Sequence, residues 1–246
     1  MLNYPSVAGV SAPPQSLLWM DKDAAAGIAH GRRIVDSISR CTEINESLLL
    51  DIGCGWGRVA YGLLDYGFTG RYVGFDLLPK QIGWLRENFT PHQPKFRFEL
   101  ADLPIDGLKA VDIATLVAEP VGVAIAMSVF THVFDNTVSD YLQQIYQALA
   151  PGKAFVFTSF LMNEESRRLS NEGRGYFPLK HQLNDHTFFD RPDNPRQVIS
   201  YSEKWLLDQV ISCGFDVERV IHGHWCGRDK MLYPEGQDWI VARKPA

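Results

Sequence analysis

The sequence predicts a doubly wound α/β fold on a seven-stranded, mostly parallel sheet, with an insertion after the fifth strand. Three observations predict it. From about residue 47 to residue 160, short apolar runs alternate with amphipathic segments of helical period, the pattern of successive βαβ units. The first apolar run, Leu48-Leu49-Leu50, passes into the glycine-rich turn Asp51-Ile52-Gly53-Cys54-Gly55-Trp56-Gly57-Arg58, which opens a helix. Aspartates stand at the ends of three successive strands, at Asp51, Asp76 and Asp102. The carboxyl edge of the sheet is where doubly wound folds bind ligands.

Residues 1–46 read as an N-terminal helical arm within one domain spanning 1–246. Its opening, Met1 to Ser16, is Pro-rich and irregular and carries no Lys or Arg, so it lacks the basic region of a secretory signal. Ser47 to Ile52 is the buried first strand, and Val59 to Tyr66 is a helix stopped near Gly67. Tyr72 to Phe75 is the second strand, ending at Asp76. Pro79 suits the first turn of a helix that continues from Gln81 to Asn88. Lys95 to Leu100 alternates as a third strand, and Gly122 to Ser128 reads as the fourth. From Thr137 to Leu149 the apolar residues Tyr141, Leu142, Ile145, Tyr146 and Leu149 recur on one helical face. Pro151-Gly152 closes that helix with a turn, and Ala154 to Ser159 is the fifth strand. Residues 160–200 form the insertion, too long to be mere connection. Ser202 is the N-cap of a helix running to Cys213 and ended by Gly214. Asp216 to His222 and Asp238 to Arg243 are the last two strands.

Composition narrows the class. Hydrophobic residues make up 46% of the 246 and charged residues 22%, the balance of an ordinary globular protein. No apolar run approaches the roughly 20 residues of a membrane-spanning helix, so no membrane insertion is expected. The net charge is −5 and no basic run occurs, which disfavours a nucleic-acid partner. Cys41, Cys54, Cys213 and Cys226 are far apart with no C-x-x-C pair. They are expected to be reduced thiols of a cytoplasmic protein.

Glycines in the Asp51–Arg58 turn let the backbone approach a ligand, and the helix N-terminus offers N–H groups to an anionic ligand group. A dinucleotide fingerprint would need a third glycine where Arg58 stands; here it comes one residue early, at Gly57. No P-loop sequence occurs. Asp76 follows Gly57 by 19 residues, and a carboxylate there can accept hydrogen bonds from both hydroxyls of a ribose. The bland alternatives are a tight strand–helix turn for the glycines and solvated turn residues for Asp76 and Asp102.

The arrangement D-x-G-x-G-x-G over Asp51 to Gly57 resembles the first motif of class I (Rossmann-like) S-adenosyl-L-methionine-dependent methyltransferases of the small-molecule type. The resemblance covers roughly residues 45 to 160. It extends to Met127-Ser128-Val129-Phe130-Thr131-His132 after the fourth strand and to Leu149-Ala150-Pro151-Gly152-Lys153 before the fifth. It implies S-adenosyl-L-methionine as cofactor, held by Asp51, Gly53, Cys54, Gly55, Gly57, Arg58, Asp76, Leu77, Ala101, Asp102, Leu103 and Ser128, with Asp102 on the adenine amino group. One departure is that Glu119-Pro120-Val121 precedes the fourth strand where the family often has a Phe-Asp entry.

Methyl transfer is an in-line displacement in which the protein mainly aligns the reactants. An alcohol gains from a base, and His132, directly after the fourth strand, is the candidate; the alternative is a packing or capping histidine. Ser128-Val129-Phe130-Thr131 stands where nucleic-acid amino-methylating enzymes carry Asn/Asp-Pro-Pro-Tyr/Phe, which disfavours that class. His181 and His186 in the insertion, and Trp225 and Tyr233 near the end, are candidate acceptor contacts, with the insertion as a substrate lid. Strand alternation would put His222 and His224 on one side, but without a clear fourth ligand beside Cys226 no metal site is assigned. The sequence therefore points to methylation of a small polar acceptor, a sugar or secondary metabolite, on oxygen. The rivals are an N-methyltransferase of a small amine, a nicotinamide oxidoreductase, and a non-catalytic interaction protein on this fold.

Overall fold

Seven strands form the main sheet: β1 (Leu48–Ile52), β2 (Arg71–Asp76), β3 (Phe96–Leu100), β4 (Val121–Ala126), β5 (Leu149–Ser159), β10 (Asp216–Ile221) and β11 (Asp238–Arg243). Their order is β10-β11-β5-β4-β1-β2-β3. Strands β4, β1, β2 and β3 pair in parallel, and β11 runs antiparallel to both β5 and β10. This is the doubly wound, mostly parallel sheet expected from the sequence. The protein is described as a computed structural model over residues 5–18, 21–45, 47–101, 112–232 and 235–246. No described helix is long and apolar enough to cross a membrane, and no cysteine is in a disulfide.

The chain divides into two compact units, Met1–Asp102 with Ile113–Ile125, and Leu103–Asp112 with Ala126–Ala246. In the first, helix α1 (Ala24–Cys41) starts at Asp23, whose side chain accepts from the Ala26 N–H at 2.8 Å. Its buried face carries Ile28, Ile34, Val35 and Ile38, with Gly27 and Gly31 one turn apart. A Cβ on Gly31 would stand 2.0 Å from the Arg58 carbonyl oxygen, and one on Gly62 would stand 2.4 Å from the Gly31 carbonyl carbon. The first contact is with helix α2 (Arg58–Tyr66) and the second comes from within it, so α1 and α2 cross backbone to backbone. Helix α3 (Pro79–Asn88) has its proline in the first turn, as expected. Ahead of α1, where an irregular lead-in was expected, Ser6–Val7 pairs with Val10–Ser11 in a short hairpin.

In the second unit, helix α4 (Asp135–Ala148) precedes β5. The expected turn at Pro151-Gly152 is instead part of β5, which begins at Leu149. Gly152 has a φ of +72°, and its N–H reaches the Lys244 carbonyl at 2.9 Å; pairing with the chain end overrides the local turn signal. The fourth strand also stops short of the expected Ser128, ending at Ala126. Ser128 has a φ of +63°, and its N–H is turned to the Thr158 hydroxyl at 2.8 Å.

The insertion builds a small sheet of its own from β6 (Leu161–Met162), β7 (His181–Gln182), β8 (Thr187–Phe189) and β9 (Ile199–Ser202), in the order β6-β9-β8-β7, with helix α5 (Glu164–Asn171) after β6. Phe160, Met162, Leu169, Leu179, Phe188, Val198, Trp225 and Cys226 form its core. Ser202 begins helix α6 (Glu203–Ser212), but its side chain makes no capping hydrogen bond.

Candidate active site

The Asp51–Arg58 turn is shaped by its glycines. Gly53, Gly55 and Gly57 have φ of +71°, +57° and +87°, a region open to glycine and costly for other residues. The Gly53 and Cys54 N–H groups donate to the Phe75 carbonyl at 2.9 and 3.0 Å. The Asp76 carboxylate, at the tip of β2, accepts from the Gly55 N–H at 2.7 Å with one oxygen, and from the Leu77 and Leu78 N–H groups at 2.7 and 3.2 Å with the other. Burial pushes the Asp76 carboxyl up, and those three donors oppose the shift. A Cβ on Gly57 would meet the Leu85 side chain at 2.7 Å, whereas one on Gly55 would meet nothing within 4 Å. Gly57 is thus glycine for packing, and Gly55 leaves an open face beside a half-buried carboxylate. An adenosine-bearing cofactor fits such a cradle.

Asp51 is 1% exposed and accepts the Tyr72 O–H at 2.6 Å. Burial raises its carboxyl from 3.8 to about 7, the Tyr72 hydrogen bond opposing and the Asp76 charge adding. Cys54 is buried and its thiol pushed up by the same desolvation. Leu77 is exposed, while Ala101 is buried with its N–H on the Asp76 carbonyl at 2.9 Å. Asp102 and Leu103 lie outside the described residues.

One partner of this loop has no motif to announce it. Asp21, in the arm, accepts from the Trp56 indole N–H at 3.0 Å and from Arg58 Nη1 at 3.4 Å. Arg58 also meets His30 Nδ1 at 3.1 Å. A guanidinium only donates, so this nitrogen is the ring's acceptor. Burial, then the Arg58 charge, lowers the pKa of His30.

In the second unit, Ser128 holds a left-handed conformation that non-glycine residues adopt at some energetic cost. Its Oγ bonds Gln237 Oε1 at 3.1 Å. Gln237 directly precedes β11, and sequence reasoning missed both it and Thr158 because the three residues meet only through strand order. His132 is exposed, and its Nδ1 donates to the Arg196 carbonyl at 2.9 Å. Because a carbonyl only accepts, Nδ1 is the ring's donor in this bond. His186 donates from Nε2 to Asp135 at 2.9 Å and stacks on Trp205 with centroids 4.2 Å apart. Partial burial would raise the Asp135 carboxyl, but the donors of Asn184, His186 and Asn136 hold it below its usual value.

His181 is exposed and stacks on Phe189. Trp225 is fully buried in the insertion's core and donates to Asp238 at 2.6 Å, which is a packing environment rather than an exposed wall. Tyr233 lies outside the described residues. The expected strand pairing of His222 and His224 is corrected, because β10 ends at Ile221. His222 bonds Glu203 at 3.0 Å, and His224 packs edge-on to Tyr176.

Residues 49–152 match the model of a methyltransferase domain. Among solved structures, an S-adenosylmethionine-dependent methyltransferase from Mesorhizobium loti is similar with a TM-score of 0.60 at 17% identity, over 88% of this chain and 100% of that one. The CcbJ methyltransferase from Streptomyces caelestis gives 0.57 at 18%, over 88% and 90%. The 1,6-didemethyltoxoflavin-N1-methyltransferase of Burkholderia thailandensis, solved with S-adenosylhomocysteine, gives 0.55 at 18%, over 90% and 79%. Residues 49–152 thus match a methyltransferase-domain model, and the fold shared with these solved structures agrees with the glycine loop and its strand-tip carboxylate.

Proposed function

We propose that the chain methylates a hydroxyl of a small polar acceptor, of sugar or secondary-metabolite type, with His132 as general base. The observation that carries the reading is the His132 tautomer. With Nδ1–H committed to the Arg196 carbonyl, Nε2 is free to take a hydroxyl proton. Gly53, Cys54, Gly55, Gly57 and Arg58 hold the amino-acid end of the cofactor, and Asp76 the ribose. Leu77 and Ala101 hold the adenine side, with Asp51 behind the loop. Bound S-adenosylmethionine supplies an electrophilic methyl group on a sulfonium. The chain's own residues orient the acceptor, exclude water and remove the proton. The insertion, with His181 and His186, serves the acceptor.

Isotope-labelled methyl donor incubated with acceptor mixtures, read by mass spectrometry, tests the acceptor class; product methylated on nitrogen alone would overturn the oxygen assignment. His132→Ala should lower turnover about 10²–10⁴-fold with cofactor affinity little changed. Full activity in the variant removes His132 from the chemistry. A second reading is N-methylation, favoured by N-methylating enzymes among the similar structures. A neutral amine needs no base, so on that reading His132→Ala is nearly silent.

A further inference from the structure

We propose that Asp21 is a positioning residue for the cofactor loop: its carboxylate locks Trp56 and Arg58, and through them sets the affinity for S-adenosylmethionine. The inference rests on the reading that the Asp51–Arg58 loop holds the cofactor. The loop has three glycines with positive φ, and a backbone so unrestricted needs external ties to keep one shape. On the sheet side Asp76 and the Phe75 carbonyl supply them. On the other side the ties run through the two large side chains interleaved with the glycines. Trp56 is 3% exposed, against Tyr61 at 5.8 Å between ring centroids and against Gly27, where a Cβ would meet its ring at 2.5 Å. Its only polar atom, the indole N–H, is met by Asp21 Oδ2. Asp21 Oδ1 faces Arg58 Nη1, and His30 accepts from the same nitrogen.

The Asp21 side chain is 8% exposed, so its charge is screened little by water and its hydrogen bonds are of the charge-assisted kind. One carboxylate therefore fixes the residues on both sides of Gly57. Nearby, Gln81 of α3 donates to the Leu17 carbonyl at 3.4 Å and Gln15 to the Asp21 carbonyl at 3.4 Å. These bonds fasten the stretch that carries Asp21 to the helix following Asp76. Asp21 is not the N-cap of α1, which is Asp23, so α1 can form without the Asp21 carboxylate.

The test uses the full chain, with S-adenosylhomocysteine and S-adenosylmethionine as calorimetric probes and thermal unfolding of the apoprotein alongside. Asp21→Ala should weaken both probes by about 10-fold or more, the scale of a lost hydrogen bond to a charged group. Asp21→Asn, which still accepts from the Trp56 N–H, should recover part of that loss. Trp56→Phe keeps the packing and loses the N–H; it should cost affinity alone and add little on top of Asp21→Ala, as coupled partners do. Exchange of the Trp56 indole proton with solvent should speed up in Asp21→Ala and slow again in Asp21→Asn. If Asp21→Ala does not fold, Asp21→Asn with Trp56→Phe carries the same cycle. Asp76→Ala separates the two ideas. Weaker binding in Asp76→Ala with unchanged binding in the Asp21 and Trp56 variants overturns the lock. Unchanged binding in all of them overturns the reading of the loop itself. A lower melting temperature with unchanged affinity in the folded protein also overturns the lock and leaves Asp21 a packing role.

Discussion

Replacing Asp51 by Asn should make the apoprotein more stable, and by an amount that grows with pH. Asp51 is buried on β1, its folded pKa raised from 3.8 to about 7 chiefly by burial. A carboxyl raised in the folded state contributes full stability below its unfolded pKa and loses it as the pH rises through the folded value. The interval spans roughly three pH units at about 1.4 kcal/mol each, so ionised Asp51 costs the fold about 4 kcal/mol at pH 8 relative to its neutral form. Asparagine has the same shape, cannot ionise, and its side-chain oxygen can still accept the Tyr72 O–H that Asp51 accepts at 2.6 Å. Urea unfolding of both apoproteins across pH 4 to 9 is the assay. The stability of wild type relative to Asp51→Asn should fall by about 1.4 kcal/mol per pH unit between roughly pH 4.5 and 6.5. It should level off above about pH 8. A gap that stays constant with pH would show Asp51 ionised throughout, and the argument from burial would be wrong.

Two further perturbations read the fold. Gly31→Ala should destabilise by about 3 kcal/mol or more, because its Cβ would stand 2.0 Å from the Arg58 carbonyl oxygen. Alanine's better helix propensity, about 1 kcal/mol, is outweighed, and a variant more stable in urea would refute the backbone crossing. Glu203→Gln should destabilise most between about pH 4.5 and 6.5. His222 holds Glu203 below its ordinary value, and Glu203 raises His222. The histidine's share is lost as the pH rises through its raised pKa, and the glutamate's as the pH falls through its lowered one. At this half-exposed pair the effect should stay under about 1 kcal/mol, and a difference from wild type that is flat with pH, by thermal unfolding, would break the pairing.

What the sequence made legible was local chemistry at strand ends. Gly53, Gly55 and Gly57 signal a backbone that must run at positive φ, and Asp76 signals a strand tip; both readings need only neighbouring residues. The features it hid depend on distant partners. Asp21 lies 35 residues before Trp56 in a stretch without periodicity, and nothing in Met20-Asp21-Lys22 distinguishes it from a solvated turn. Gly27 and Gly31 sit at helical spacing, yet their reason is Trp56 and Arg58 on the far side of the contact. Pro151-Gly152 has the composition of a turn and becomes strand because Lys244 supplies the carbonyl. The strands of the insertion run two to four residues, too short for a period to show.

The charges around the loop are unevenly matched. Asp21 is balanced by Arg58. Among the described residues, Asp51 and Asp76 accept hydrogen bonds from neutral donors, the Tyr72 hydroxyl and the N–H groups of Gly55, Leu77 and Leu78, and the Arg58 charge only partly opposes the burial of Asp51. Burial pushes both carboxyls up, which is the mark of negative charge that the apoprotein holds at a disadvantage. The methyl donor carries one positive charge more than its demethylated product, at the sulfonium. If the loop holds the donor as proposed, carboxylates in reduced dielectric would favour the charged species, and that preference would disappear with the charge when the methyl leaves. On the proposed reading of the loop, the same two residues would weaken the empty protein and favour donor over product, a trade of stability for function.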